Sequence, residues 1–515
     1  MATCKLGSVS PITYAMPSRL KKLIRSLTLF LPCIIIHSDA FIHSISPHLY
    51  LSKSNLSSLN LHQDGQAFHI PEMVTNEFAN DFASSGAWGS HPILLRNAFL
   101  KEAQNLQLNS DEAPWPTWED VMNLASDEEA EARLITHDSS DEKSWSLKLG
   151  PIKEHELANI ESETKWSVVV NDVDRFHPCL SDWIGDLFGM IPQWRRDDGQ
   201  ISLSNEGGGI GSHVDDYDVF LIQMAGTRKW DVGKRKIPNR EEIDGLIPNL
   251  DVRVLDFWDR DAENGLVESF ILEPGDVLYI PPRFGHCGTA LSDGCMTLSV
   301  GLRAPSAKEM MTKLSDDIVD AIDGKFLDRY KDPNLLEDGA MQASNLLDDN
   351  IKQKGKQLVR DAINEMLDDE DNFDKFFGKL VTESKRMRFD YPMSLDDLDD
   401  ECKEEMGVWG DAKAAIEAVR NSKGVLYAAE GISWAYSTIP PNNLPNKGSL
   451  CRIFIDGSMR QICLDSDDTV TLKLIQRMVD ERHVNASFFE NTTSAQFSEL
   501  LKDLVREGYL YGSDE

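Results

Sequence analysis

Two short stretches of this chain place residues with the right chemistry at a useful spacing. The first reads Glu206-Gly-Gly-Gly-Ile-Gly-Ser-His213-Val-Asp215-Asp-Tyr-Asp-Val-Phe-Leu-Ile-Gln223. A glycine run turns the chain tightly ahead of a His-x-Asp pair. On an extended segment, residues two apart point to one face, so His213 and Asp215 can reach a single ion. The second stretch, far downstream, is Glu273-Pro-Gly-Asp276, a turn signal, followed by the strand pattern Val277-Leu-Tyr-Ile280 and then Pro281-Pro-Arg-Phe-Gly-His286. Two imidazoles and one carboxylate on one face leave three positions of an octahedral iron open. That is the donor set of a non-haem iron(II) centre that must also take a co-substrate and oxygen.

A His-x-Asp pair alone, or a histidine after Pro-Pro alone, is common by chance. What carries weight is the combination of glycine-rich turn, His-x-Asp, Pro-Gly-Asp turn, strand and Pro-x-x-x-His, which resembles the two signature stretches of a cupin metal site. His137, His155 and His177 have no such setting and read as surface or core residues. If 2-oxoglutarate were the co-substrate, its keto-acid end would take two iron positions and its far carboxylate would need a fixed cation, normally Arg or Lys. Gly226-Thr-Arg228-Lys229-Trp230 supplies both types. Strand alternation turns only one of them inward, and a bulge at Ala225-Gly226 would reverse the parity, so spacing leaves Arg228 and Lys229 open.

The elements that must position these residues come in a β-rich block. From Trp145 to Arg303 short runs such as Trp166–Val170, Gln200–Ser204, Val219–Gln223, Ser269–Leu272, Val277–Ile280 and Met296–Val300 are split by Gly, Pro and Asp. Strands at that density indicate a sandwich or barrel. Ahead of the block, Glu72–Ala83 has helical periodicity, Pro92–Arg96 a strand pattern, and Trp118–Glu129 reads as helix. After Pro305 the strands stop. Lys308–Asp323, Leu346–Leu367 and Asn372–Arg388 read as amphipathic helices, and Asp390–Glu405 as an acidic linker. The last hundred residues mix helices (Asp411–Asn421, Thr469–Glu481, Thr493–Glu507) with short strands (Gly424–Ala429, Ser449–Ile455), a pattern that suits a small winged-helix-like module.

At this point the resemblance becomes specific. His213–Gln223, Gly226–Trp230, Glu273–Pro282, Trp194-Arg-Arg-Asp-Asp198, Ile201-Ser-Leu-Ser204 and Leu298–Pro305 closely resemble the bacterial ribosomal oxygenases. These are Jumonji-C enzymes that hydroxylate an arginine of a large-subunit ribosomal protein. The similarity runs from about Thr75 to Gly512, weakly through Phe373–Gly378 and Leu504–Tyr509. It implies an α+β fold: a double-stranded β-helix (cupin/JmjC) core, then a helical dimerisation region, then a winged-helix-like C-terminal domain. The corresponding divisions are 1–65 (targeting presequence), 70–305, 306–395 and 396–515.

The resemblance also implies Fe(II), 2-oxoglutarate and O₂ as metal, co-substrate and oxidant. His213, Asp215 and His286 match the iron ligands, Arg228 the cation on the distal carboxylate, and Ser202 a serine of the co-substrate pocket. It implies a basic ribosomal protein as substrate and a homodimer as the assembly. Asp216 stands where the family has Gln, which bears on substrate reading; other branches hydroxylate histidine or demethylate lysine. A metal cupin that is not an oxygenase would need no Arg228-type cation. Thr469–Glu481 is mixed in charge, so no direct DNA binding is expected. For a cationic target, Asp216 and Asp218 are candidate attracting carboxylates.

Length and composition bound the reading. A chain of 515 residues is too long for one core. The formal charge of −34 repels a phosphate backbone and suits a basic protein partner. Eight cysteines without a CxxC pair read as scattered thiols of a reducing compartment. Before Asp39 there is no acid, while Lys5, Arg19, Lys21, Lys22 and Arg25 are basic and Leu27–Ile36 is an apolar run. That run is about half of the roughly 20 residues a bilayer span needs, so it reads as a signal-peptide core. Ser38-Asp39-Ala40-Phe41 and a Ser-rich, acid-poor tail follow, resembling the bipartite presequences of complex plastids. Plastid import is the favoured expectation, mitochondrion and secretory pathway the alternatives, and no membrane association is expected of the mature form.

Overall fold

In the computed structural model of the chain, the described residues are 69–75, 77–108, 110, 113–138, 145–160, 164–237, 258–320, 330, 347, 349–383, 394–439, 449–464, 468–490 and 494–513. The presequence reading and the outer ends of several predicted helices lie outside them.

Among the described residues, twelve strands build the first part of the chain: β1 (Glu72–Val74), β2 (Ile93–Arg96), β3 (Ala132–Asp138), β4 (Trp145–Leu149), β5 (Thr164–Val170), β6 (Arg196–Ser204), β7 (Asp218–Ala225), β8 (Arg228–Lys236), β9 (Val267–Leu272), β10 (Val277–Ile280), β11 (Phe284–Ala290) and β12 (Cys295–Leu302). Nine form one sheet in the order β1-β2-β10-β7-β12-β6-β5-β3-β4, and three form a second in the order β11-β8-β9. Side-chain alternation divides each strand of the large sheet between two cores. Phe220, Ile222, Val277, Tyr279, Leu298, Val300, Ile201 and Leu203 bury on one face, with Phe78, Phe82, Phe99 and Phe188. Their alternates Val219, Leu221, Leu278 and Ile280 bury on the other, against Trp230, Val232, Phe270, Leu272 and Phe284 of the small sheet. The small sheet therefore covers the β2, β10 and β7 end of the large one. A cavity remains over β12, β6, β5 and β3.

Two sequence-based expectations change. Glu72–Val74 is a strand, and the helix begins only at Phe78. The i, i+4 pair Phe78 and Phe82 is buried as the periodicity predicts, but Glu72, Met73 and Val74 pair in parallel with Leu94, Leu95 and Arg96, partners no local window contains. The acidic stretch before Glu405 is not all linker either. Asp399 caps a helix, Asp400–Glu405, by accepting from the Cys402 N–H at 2.8 Å. Acidic residues collect there because carboxylates are favourable at a helix N-terminus.

After β12 come helices Ala307–Asp320, Asp349–Asp368 and Glu370–Thr382. The last packs on an antiparallel sheet of β14 (Trp434–Ile439), β15 (Ser449–Ile455) and β16 (Ser458–Leu464), which follow β13 (Val425–Ala428). Arg452 of β15 is fully buried and donates to Asp374 at 2.6 Å and to Asp371. The buried charge is thus paired on the helix that covers it. Helices Ala412–Arg420, Thr469–Glu481 and Ala495–Arg506 surround one more core with a small sheet in which β17 (His483–Val484), β13 and β18 (Leu510–Ser513) lie side by side.

Candidate metal centre and cavity

The glycine run does its work by close approach. Gly207 donates to the Ala290 carbonyl and Ala290 to that of Gly208, both at 2.8 Å, so the loop is sewn antiparallel onto β11. A Cβ on Gly209 would meet the Gly288 carbonyl oxygen at 2.3 Å, so only glycine lets the two backbones come this near. At the end of this seam His213 and His286 form a reciprocal backbone pair, each N–H donating to the other's carbonyl at 2.9 Å. The Arg283 N–H donates to the Asp215 carbonyl at 2.8 Å and fixes the next turn.

Sequence-distant histidines thereby become neighbours. Their ring centroids are 4.2 Å apart, and His286 Nε2 lies 3.5 Å from an Asp215 carboxylate oxygen. One donor atom from each of His213, Asp215 and His286 falls within 4.8 Å of the others. Each ring is oriented from behind, with His213 Nδ1 3.0 Å from the Gly211 carbonyl and His286 Nδ1 3.2 Å from that of Phe284. A carbonyl can only accept, so Nδ1 carries the hydrogen and Nε2 keeps its lone pair. Burial, and then the neighbouring His213, push the His286 pKa down to about 4, against the pull of Asp215. The imidazole is neutral at neutral pH, as a metal ligand must be. Two neutral nitrogens and a carboxylate are the donor set that suits a divalent iron with open positions.

The cavity beside these groups is about 1260 Å³. Arg228 and Lys229, which spacing left open, are separated by the fold. Gly226 turns the chain from β7 into β8 at φ +63°, with Cys295 Cα only 3.0 Å from where a Cβ would stand. From that turn Arg228 and Trp230 face inward and are buried, whereas the Lys229 side chain is 41% exposed and pairs with Asp231 at 3.0 Å. Arg228 donates to the Ser204 hydroxyl at 2.8 Å, and Ser204 is 2.8 Å from Ser167. Arg228 Nε is buried without a hydrogen-bond partner among the described residues. A buried guanidinium beside neutral hydroxyls in the wall of a cavity, with no carboxylate paired to it among the described residues, suits an anion. These residues fit a dicarboxylate held at one end by a metal and at the other by Arg228.

Ser202 lines the same cavity, with its hydroxyl 3.5 Å from the Thr297 carbonyl. Ser204, two residues on, is the partner of Arg228, and the sequence reading passed over it although period-two spacing puts both serines on one face. Asp216 lies at the cavity wall, half exposed, and accepts from Arg283 at 3.2 Å. Asp218 points elsewhere: it is buried, accepts from Tyr279 Oη at 2.5 Å and from Arg195 at 3.1 Å, and does not line the cavity. Also unforeseen is a polar wall of Glu131, Arg133, Asn171 and Gln200.

Comparison with known proteins was made on this geometry. A family model for the JmjC domain matches residues 185–310. A probable ribosomal oxygenase of Haemophilus influenzae is 32% identical over 322 residues, covering 62% of this chain and 71% of that protein. The ribosomal protein uL16 3-hydroxylase of Escherichia coli is 29% identical over 299 residues, 58% of this chain and 70% of that one. Among solved structures, that of E. coli YcfD superposes with a TM-score of 0.60 at 24% identity, over 84% of this chain and 98% of its own. A structure of YcfD in complex with cobalt and 2-oxoglutarate gives a TM-score of 0.58. These superpositions bear out the cupin/JmjC fold within a mixed α+β chain.

Proposed function

Because the chain belongs to the ribosomal oxygenases, 2-oxoglutarate-dependent enzymes of the JmjC type, we propose that it hydroxylates a side chain of a large-subunit ribosomal protein, an arginine in particular. The observation that carries the reading is the shared cavity: His213, Asp215 and His286 converge at one place in its wall, and the buried guanidinium of Arg228 lines it as well. The name of the E. coli relative, a uL16 3-hydroxylase, supports the substrate class.

In this reading His213 Nε2, His286 Nε2 and an Asp215 oxygen hold iron(II). Arg228 takes the distal carboxylate of 2-oxoglutarate beside Ser204 and Ser202. The bound iron supplies the O₂ chemistry that converts 2-oxoglutarate, O₂ and a target C–H into succinate, CO₂ and the C–OH product. The chain's share is position and dryness. The backbone seam holds both imidazoles with Nε2 forward, and buried Trp230, packed 5.9 Å from the His286 ring, keeps water from that side. The acidic surface draws a strongly basic ribosomal protein, since opposite charge speeds encounter.

Three further parts belong to the same proposal. Residues 70–305 act as the oxygenase, 306–395 as a dimerisation region and 396–515 as a winged-helix-like domain. Met311, Val359 and Leu367 stay exposed on the helices before Glu370, which supports a dimer through that face; a monomer in sedimentation at micromolar concentration would remove it. Three helices around the sheet β17-β13-β18 support the winged-helix reading. The presequence pattern supports plastid import, where a bacterial-type ribosome would offer the substrate. A fluorescent fusion of residues 1–65 that goes to the secretory pathway or mitochondrion would replace that destination.

Histidine hydroxylation, lysine demethylation and non-oxygenase cupin chemistry are the competing outcomes. Mass spectrometry of organellar and cytosolic ribosomal proteins, with and without the enzyme, separates them. The expected result is a gain of one oxygen on one arginine. The same gain on histidine, loss of methyl from lysine, or no change with 2-oxoglutarate left unconsumed would each point to the corresponding alternative.

A further inference from the structure

The polar wall opposite the small sheet has a fixed direction. Asn171, 2% exposed, donates from Nδ2 to a Glu131 carboxylate oxygen at 2.8 Å, and its Oδ1 accepts from Gln200 Nε2 at 2.7 Å. A carboxylate can only accept, so Asn171 must turn its NH₂ to Glu131 and its oxygen to Gln200. Gln200 must then turn its nitrogen to Asn171 and give it one N–H, which leaves its carbonyl oxygen as an acceptor for the cavity it lines. Arg133 reinforces the order by approaching Asn171 Oδ1 from its own side, at 3.5 Å. One ionised side chain thus sets the polarity of two neutral amides in series.

The register shows where this acceptor stands. Arg228 meets Ser204 at the cavity floor. Gln200 is two side-chain rungs along β6 from Ser204, with Ser299 opposite it on β12. His286 pairs with Val232, two rungs along β8 from Arg228. Gln200 thus stands about 13 Å along β6 from Ser204 at 3.3 Å per residue, and it lines the same cavity as the two histidines.

We propose that Gln200 is the specificity-determining contact for the target side chain, its carbonyl oxygen accepting from a donor-only group such as a guanidinium, with Asn171 and Glu131 as the residues that position it. A guanidinium presents N–H donors and no acceptor, so an outward amide NH₂ would repel it and an outward carbonyl receives it. This rests on the proposed function and names the residue that reads its substrate.

The test uses the full chain with iron(II), 2-oxoglutarate and a peptide carrying one arginine of a large-subunit ribosomal protein, following oxidised peptide and succinate separately. Gln200→Met should raise the peptide KM about 10-fold or more, as expected when a hydrogen bond to a charged group is lost, with the 2-oxoglutarate KM unchanged. Gln200→Glu, which keeps an acceptor, should restore the low peptide KM. Glu131→Gln alters an exposed residue and leaves the core intact, yet it frees Asn171 to turn over, so it should raise the peptide KM a few-fold. An unchanged peptide KM in Gln200→Met or Glu131→Gln overturns the assignment, as does a rise in the 2-oxoglutarate KM in its place. A wild-type enzyme that consumes 2-oxoglutarate but oxidises no arginine peptide overturns the arginine reading itself, and the Gln200 contact with it.

Discussion

The floor and the mouth of the cavity are built on different principles. At the floor one buried cation, Arg228, stands among neutral hydroxyls of Ser204 and Ser167. At the mouth, charges come in solvated pairs: Asp216 with Arg283, Arg303 with Glu309, Lys313 with Glu383. A desolvated cation with an open donor binds one anion in one pose, which suits a co-substrate that never varies. Exposed pairs are worth little individually, but together they shape the field a large partner meets. The floor suits one small anion, and the rim sets only the field that a large partner meets.

That contrast can be broken or sharpened by substitution, and the effects should decline outward. The largest is at the metal. Asp215→Ala should abolish succinate formation with and without target, while thermal unfolding shifts little, because Asp215 lies between strands and outside the packed cores. Succinate at the normal rate in this variant would remove the ligand assignment. Next comes the floor. Arg228→Ala should raise the 2-oxoglutarate requirement roughly 30-fold or more, the consequence of losing about 2–5 kcal/mol with a buried charge-assisted pair, and Lys229→Ala should do almost nothing. If titration showed Lys229→Ala to be the weaker binder, the inward register of β8 would be wrong.

Smaller still is the hydroxyl pair. Ser204→Ala removes the Arg228 contact and should weaken 2-oxoglutarate about 5-fold, as for one hydrogen bond of about 1 kcal/mol. Ser202→Ala should cost less, and equal losses would argue that both serines hold the co-substrate directly. Least affected is the rim. Lys313→Ala should leave the 2-oxoglutarate KM unchanged and shift peptide KM by less than about 5-fold, in a salt-dependent way. A salt-independent loss of turnover there would mean the rim reaches the chemistry after all.

The candidate metal ligands were legible because their signals are local. A glycine run before His213-Val-Asp215, and Pro-Gly-Asp before the strand leading to His286, are backbone requirements written into short windows. The choice between Arg228 and Lys229 was not legible from spacing, and only the resemblance pointed to Arg228, since the inward side depends on how Gly226 turns between two sheets. Nor was the Glu131, Asn171 and Gln200 wall. Glu131 closes an acid-rich run, Asp127-Glu-Glu-Ala-Glu131, and the strand that follows it, β3, carries Arg133, His137 and Asp138 without a clean apolar alternation. Pairing with β5, Arg133 opposite Val169 and Ile135 opposite Ser167, makes it a strand.

From the sequence by itself came the β-rich block and the donor set of the candidate centre, which depend on residue type, period and turn chemistry over a few positions. The resemblance to a family added the α+β class and the co-substrate. Only the tertiary structure decided which cation turns inward, that Ser204 is its partner, that Asp218 is structural, and that one carboxylate orients two amides on the facing wall. Those facts are set by cross-strand register and by contacts between distant segments, where a shift of one residue turns every side chain to the other face. No local pattern carries that information.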